Sequence, residues 1–474
     1  MSKKLTVIGG GPGGYAAAFY AADLGMEVTL IDKDKNPGGV CLYRGCIPSK
    51  ALLHAAKLIH EADEAKNWGI EFSKPKIDLD KLRKWKTGVV EKLTDGLGQL
   101  SKARKINYIQ GTASFINSST LKVEKKDGKT EEVKFDKAII ATGSRIATIP
   151  SLNIKSKKLL NSTTALDLPA IPKSLLVIGG GYIGLELGSV YEALGTKVSV
   201  VEMMPGLLPG ADRDLVAQLS KRIEKQYDKI MLNSKVLEMK ETKKGIKVKI
   251  QSTENGKDGK TTEEEYDYVL MSIGRRPETK GLGIENTNVK VNDKGWIKVN
   301  KQMQTDDSNI YAIGDIVGEP MLAHKASHEA RVAVETIEGY KAAFEPLAIP
   351  AVVFTDPEIA WAGLTENQAK EQNIKYEAAK FPWAASSRAT TLGRSDGITK
   401  LIIDPETERI LGVGICGPGA GELIAEGVLA IEMGANATDL KLTIHPHPTL
   451  SETIMEAAEV FFGQSTHIYK PKKK

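Results

Sequence analysis

The chain has 474 residues, 41% of them hydrophobic and 26% charged, which suits a globular protein of about three domains. Its 65 basic and 60 acidic residues leave a net charge of +5, too balanced to argue for nucleic acid, and the one basic run, KPKKK at 470–474, reads as a solvated end. No apolar run reaches the roughly 18 residues of a membrane helix, MSKKLTVIGGG lacks the pattern of a secretory signal, and three cysteines make no disulfide framework, so a cytoplasmic protein without membrane contact is expected.

The first element is LTVIGGGPGG at 5–14, a short buried strand running into a glycine turn and a helix. A second strand ends in Asp32, and GGVCLYRGCIPSK at 38–50 follows with Cys41 and Cys46. Helices are expected over 51–66 and 80–100, then short strands and turns from 106 to 140, ending in KAIIATGS. LLVIGGGYIG at 175–184 repeats the opening. A shift of 170 residues pairs Gly9, Gly11 and Gly14 with Gly179, Gly181 and Gly184, and without a gap carries Asp32 onto Glu202. Strands are expected within 227–250 and 263–273, and NIYAIGD at 309–315 reads as another buried strand. From about 346 the strands PAVVFT, TKLIID and ILGVGICG mix with helices at 420–434 and 451–462.

The repeat has a physical demand behind it. The first glycine permits a tight turn, the second lets backbone approach a pyrophosphate, and the third allows close helix–strand packing. The helix N-terminus offers unpaired N–H groups to phosphate, and an acid about 20 residues on can accept from a ribose diol. Two such units in register predict two dinucleotide sites. Met203, Met204 and Pro205 follow Glu202 where a 2′-phosphate would need cations, so NAD is expected over NADP at the second site.

The cysteine pair is open to several readings. Zinc needs around four ligands, and no second Cys or His pair stands near at ligand spacing. A structural disulfide would close a very small loop in a reducing compartment, and inert thiols are also possible. Redox activity fits better. In a regular helix a Cys-x4-Cys pair lies about 7.5 Å apart along the axis, beyond disulfide reach. A distorted turn is therefore needed, and Gly45 and Pro48 would permit one. Arg44 and a nearby helix N-terminus are expected to favour the thiolate. A dithiol beside two dinucleotide sites suggests electron relay, with a flavin as the usual intermediary. Cys416 reads as a small buried strand residue.

The chain resembles the flavin disulfide reductase family, which includes glutathione and mercuric reductases, and is most similar to its dihydrolipoyl-oxidising members. The match runs from Val7 to about Glu459 and rests on VIGGGPGG, GGVCLYRGCIPSK, ATGS, VIGGGYIGLELG, IGRRP, YAIGD, MLAHKA and HPHPTLSE. The resemblance implies an α/β fold with two Rossmann-like dinucleotide-binding domains, for FAD and NAD, and a C-terminal α+β dimerisation domain. The expected division is 1–150 and 273–345 for FAD, 151–272 for NAD and 346–474 for pairing with a second copy.

It also implies roles. Gly9, Gly11, Gly14, Asp32, Gly111, Thr142, Gly143, Ser144 and Asp315 would hold FAD, with Met321, Leu322, Ala323 and His324 along the flavin. Lys50 would sit near flavin N5, ion-paired with Glu186. Gly179, Gly181, Gly184, Glu186, Glu202 and Gly274 would bind NAD. Cys41 would exchange with the substrate dithiol and Cys46 would face the flavin. The second copy's His447, oriented by Glu452, would be the general base. The residues alone support this base more weakly: a histidine is suited to removing a thiol proton near neutral pH and a carboxylate could fix its tautomer, yet HPHPT could equally be a turn. The implied reaction is oxidation of dihydrolipoyl groups by NAD⁺ in a homodimer, the lipoyl arm being carried by a dihydrolipoyl acyltransferase or the glycine cleavage H protein. A glutathione reductase-like activity is the alternative, and a non-catalytic flavoprotein is a further one.

Two departures stand out. The family most often has Leu-Asn-Val-Gly between its cysteines, where this chain has Leu42, Tyr43, Arg44 and Gly45, and Asp32 replaces the more usual glutamate.

Overall fold

The computed structural model describes residues 2–254 and 256–469, so the basic run at 470–474 lies outside the described residues. Its first sheet has seven strands. Five are parallel, in the order Ile310–Ala312, Lys137–Ile140, Lys4–Ile8, Glu27–Asp32 and Asn107–Asn117, and an antiparallel extension adds Thr120–Lys125 and Thr130–Lys134. The central strand KLTVI is buried at every position after its lysine, as a strand covered by helices on both faces must be. Helices Pro12–Asp23 and Ala323–Glu338 pack on one another so closely that a Cβ on Gly13 would lie 3.1 Å from that of Ala326.

The second sheet repeats the first by the same offset. Ile8 pairs with Ile31, and 170 residues on Ile178 pairs with Val201. Its five strands are all parallel, in the order Lys229–Met231, Lys197–Val201, Ser174–Ile178, Tyr268–Met271 and Leu159–Asn161. A three-stranded antiparallel sheet, Ser234–Glu241, Ile246–Glu254 and Lys257–Tyr266, covers part of it. The chain returns to the first unit through Arg275–Pro277, which pairs with Ser144–Ile146.

The last unit is a five-stranded antiparallel sheet, ordered Ala351–Val353, Glu358–Gly363, Ile410–Gly417, Ile398–Ile403 and Glu377–Pro382. Helices Ala420–Glu432 and Glu452–Phe462 pack on it around the fully buried Trp383. Cys416 is buried in its Ile410–Gly417 strand. Lys400, 1% exposed, joins this unit to helix Arg213–Gln226 through Asp212 at 2.6 Å and Asp214 at 2.7 Å. Glu366 completes the group at 3.0 Å. The charge of these three carboxylates is thus largely offset by Lys400 and by Lys380 beside it. Among the described residues, no helix is long and apolar enough to cross a membrane.

Candidate active site

The helix carrying Cys41, Gly39–Arg44, stops at Gly45, and a new helix, Cys46–Glu64, starts at once. Gly45 has φ −145° and ψ −116°, far from helical, and a Cβ there would come within 2.8 Å of the Val40 carbonyl. The break removes the axial separation a continuous helix would impose and brings the two sulfurs into hydrogen-bonding contact. Both are free thiols. That hydrogen bond, with burial, holds the Cys41 thiol well above the usual range. The same bond, helped by the nearby Lys50 ammonium, brings Cys46 down to about 7.

The cation beside the thiolate is therefore Lys50. Arg44, expected from the sequence to serve there, turns the other way and ion-pairs with Asp34. Lys50 Nζ lies 2.8 Å from Glu186 Oε2 and sits over the Phe354 ring at 4.5 Å. Glu186 is almost fully buried and accepts further hydrogen bonds from Ser49 Oγ and the Phe354 N–H. A buried carboxylate needs such partners.

Cys41, Cys46, Ser49, Lys50 and Glu186 line a cavity of about 410 Å³ that Asp32 also lines. Gly9, Gly11, Thr142, Gly143, Ser144 and Asp315 line it too, with Met321 and Ala323. At the turn, Gly9 has φ +102° and a Cβ on Gly14 would lie 1.8 Å from the Gly9 carbonyl, so this third glycine is a packing requirement. Gly11 and Gly143 differ, since a Cβ on either meets nothing within 4 Å. They face open space that a ligand can fill. Gly11 also caps helix Pro12–Asp23 without any side-chain hydrogen bond, leaving its N–H groups for phosphate. Asp32 accepts from the N–H groups of Gly10 and Asp34, and burial raises its pKa. Ser144 Oγ hydrogen-bonds Asp315 and accepts from Arg275 Nε at 2.7 Å. The open space before Gly11 and Gly143, with the unpaired helix N–H groups beside it, fits a flavin dinucleotide.

Gly111, Leu322 and His324 are not in the cavity lining. A Cβ on Gly111 would lie 2.6 Å from the Glu124 carbonyl, a sheet-packing demand. His324 is exposed and its Nε2 lies 2.8 Å from the Pro350 carbonyl.

The second copy repeats the acid's geometry. Glu202 accepts from Gly180 N–H at 2.7 Å and Met204 N–H at 2.7 Å. Gly179 has φ +104°, a Cβ on Gly184 would lie 2.3 Å from its carbonyl, and Cβ atoms on Gly181 and Gly274 would meet open space. These residues fit a second dinucleotide. Glu186, from the helix this turn opens, lines the first cavity beside Lys50.

His445 and His447 are clearly distinguished. The His445 side chain is 5% exposed, and its ring nitrogens meet Glu426 at 2.7 Å and the Thr443 carbonyl at 2.9 Å. The His447 side chain is 65% exposed, with Nδ1 2.9 Å from Glu452 Oε1. The carboxylate is itself held by the Thr449 N–H at 2.7 Å. His447 does not line its own chain's cavity, and Leu442 and Ile444 just before it are 70% and 95% exposed. Sequence reading passed over Arg275, Ser49 and Tyr182, the last two lining the cavity with Arg275, although all three lie inside the motifs IGRRP, CIPSK and GGGYIG.

The family model for pyridine nucleotide-disulphide oxidoreductases matches residues 3–330, and the model of that family's dimerisation domain matches 349–458. A Haemophilus influenzae protein named dihydrolipoyl dehydrogenase is 49% identical, covering 100% of this chain and 99% of that protein. A protein of the same name from Geobacillus stearothermophilus is 46% identical over 99% and 98%. The crystal structure of LpdA from Mycobacterium tuberculosis superposes with a TM-score of 0.88 at 28% identity, over 96% of this chain and 99% of that one. The flavoprotein disulfide reductase RclA from Escherichia coli, induced by HOCl, gives 0.83 at 28% identity, over 95% and 98%.

Proposed function

The chain belongs to the pyridine nucleotide-disulphide oxidoreductase family, and from that premise we propose that it oxidises dihydrolipoyl groups to lipoyl disulfides and reduces NAD⁺ to NADH, through FAD and a Cys41–Cys46 disulfide. The observation that carries this reading is the thiol pair itself, with Cys41 and Cys46 lining the cavity that Asp32 and the first glycine turn also line. Glutathione reductase-like chemistry with NADPH is not favoured, since Glu202 and the exposed Met203 and Met204 offer a 2′-phosphate no cation.

The working protein is a homodimer. One sulfur of the dihydrolipoyl group attacks Cys41 Sγ, breaking the Cys41–Cys46 bond and forming a mixed disulfide, while the partner subunit's His447 takes the thiol proton at Nε2. Cys46 is the better leaving group because its pKa lies lower, and Lys50 stabilises the thiolate. The second substrate sulfur displaces Cys41 and passes its proton to it, closing the lipoyl disulfide. FAD, held by the Gly9–Gly14 turn, Asp32, Ser144 and Asp315, supplies the two-electron exchange between dithiol and nicotinamide. Glu452 holds the base in one tautomer, Glu186 holds Lys50, and the Gly179–Gly184 turn with Glu202 holds NAD. The substrate arm is carried on a larger protein, a dihydrolipoyl acyltransferase or the glycine cleavage H protein.

The test is steady-state turnover of FAD-loaded protein with dihydrolipoamide and NAD⁺, beside glutathione disulfide and NADPH. The reading expects lipoamide-linked turnover that vanishes in Cys41→Ser. Turnover confined to the glutathione pair would overturn it.

A further inference from the structure

Residues 33–38 form a strap between Asp32, at the adenosine end of the cavity, and the cysteine-bearing helix. Lys33 and Asp34 line the cavity, as does Arg44 opposite them. The strap is fastened from below by the first sheet: Tyr108 Oη donates to the Asp34 carbonyl at 2.8 Å and Gln110 Nε2 to that of Lys33 at 3.0 Å. Its end is tied to the glycine turn, with Gly38 N–H donating to Gly10 O at 2.7 Å.

The remaining fastenings toward the cysteine helix come from the two side chains that set this chain apart from the usual family pattern. Arg44 ion-pairs with Asp34, with the two side chains only 28% and 16% exposed. Tyr43 Oη donates to the Asn36 carbonyl at 3.1 Å and accepts from the Asn36 N–H at 3.2 Å, and its ring lies 5.7 Å from the Arg44 guanidinium. An asparagine and a valine at these positions could supply neither the fork of the guanidinium nor a phenol long enough to span the strap.

We propose that Tyr43 and Arg44 are a latch that holds the 33–38 strap over the adenosine end of FAD and slows the cofactor's release. The inference rests on reading this cavity as the FAD site. Arg44 has a second effect in the same place. It pairs with Asp34, whose charge, after burial itself, disfavours the ionised form of Asp32 that would accept from a ribose. The two residues between the cysteines thus act at the far end of the cofactor from the sulfur chemistry.

The experiment measures FAD release from the holoenzyme, followed as the gain of flavin fluorescence after dilution into sub-denaturing urea. Arg44→Val, Tyr43→Asn and Asp34→Asn should each release FAD about 5- to 20-fold faster than wild type. Arg44→Lys should restore part of the loss, and Arg44→Val with Asp34→Asn should release no faster than either alone, because both remove one contact. Wild-type release rates in the single variants would overturn the latch, as would rates that multiply in the double variant. So would thermal unfolding of the FAD-free proteins that shifts as much as that of the holoenzymes, since the residues would then serve folding. A wild-type protein that takes up no flavin would overturn the cavity assignment, and the latch with it.

Discussion

The two dinucleotide units share a backbone and differ in what closes over it. Gly9 and Gly179 have φ values of +102° and +104°, and Asp32 and Glu202 each bind the turn's middle glycine and the residue two places on. In the first unit the site is walled by helix Ala323–Glu338, by the cysteine helices and by the strap at 33–38. In the second, Met203 and Met204, which follow Glu202 directly, are 68% and 49% exposed. One turn geometry therefore stands in two different surroundings. On the proposed function, the enclosed turn would keep its cofactor and the turn with exposed neighbours would exchange a co-substrate each cycle.

The sharpest way to break this comparison is at Gly11 and Gly181, the glycines that face open space. Gly11→Val should leave the fold intact but abolish FAD uptake, lowering lipoamide turnover at least about 10³-fold, while Gly181→Val should keep its FAD and raise the NAD⁺ KM by roughly tenfold or more. Flavin content and KM, measured together, decide it; flavin loss from Gly181→Val would contradict the separation of the two sites. Next in size, His447→Gln should slow dihydrolipoamide oxidation by about 10²- to 10⁴-fold, whereas NADH oxidation by an artificial acceptor that bypasses the cysteines stays near wild type. Glu202→Ala should then relax the preference for NAD over NADP by about tenfold, read from kcat/KM with each.

The smallest effect is a titration. Cys46 is held at about 7 chiefly by the hydrogen bond from Cys41, so its thiolate forms as pH rises through that value. In Cys41→Ala the bond is gone, and alkylation of Cys46 should require higher pH, with a midpoint approaching the ordinary thiol value of about 8.5. An unmoved midpoint would assign the effect to Lys50 alone.

Much of this arrangement was legible in the sequence because it obeys a local rule. The glycine turns, the acids and the break at Gly45 follow from backbone geometry that only certain residues allow, and an offset of 170 residues makes the second unit visible from the first. The helices expected at 420–434 and 451–462 appear as Ala420–Glu432 and Glu452–Phe462. What sequence could not carry is direction. Arg44 stands two residues from Cys46, yet its helix aims it at Asp34, while Lys50 reaches the sulfur from one turn further on. Likewise His445 and His447 are equivalent in HPHPT until the partners of each ring nitrogen are seen. Helix Ala323–Glu338 is not expected from the sequence, since its buried face carries Lys325 and Glu329 among its alanines.

The central claim is that one working centre joins the cysteines of one copy to the histidine of another. The measurement that tests it most directly is the lipoamide-linked turnover of a heterodimer purified from co-expressed, differently tagged Cys41→Ser and His447→Gln chains. Each homodimer should be nearly inactive. In the heterodimer one centre carries both defects and the other carries neither, so about half of wild-type turnover is expected. A heterodimer as inactive as its parents would place His447 and Cys41 in the same chain's centre and contradict the account.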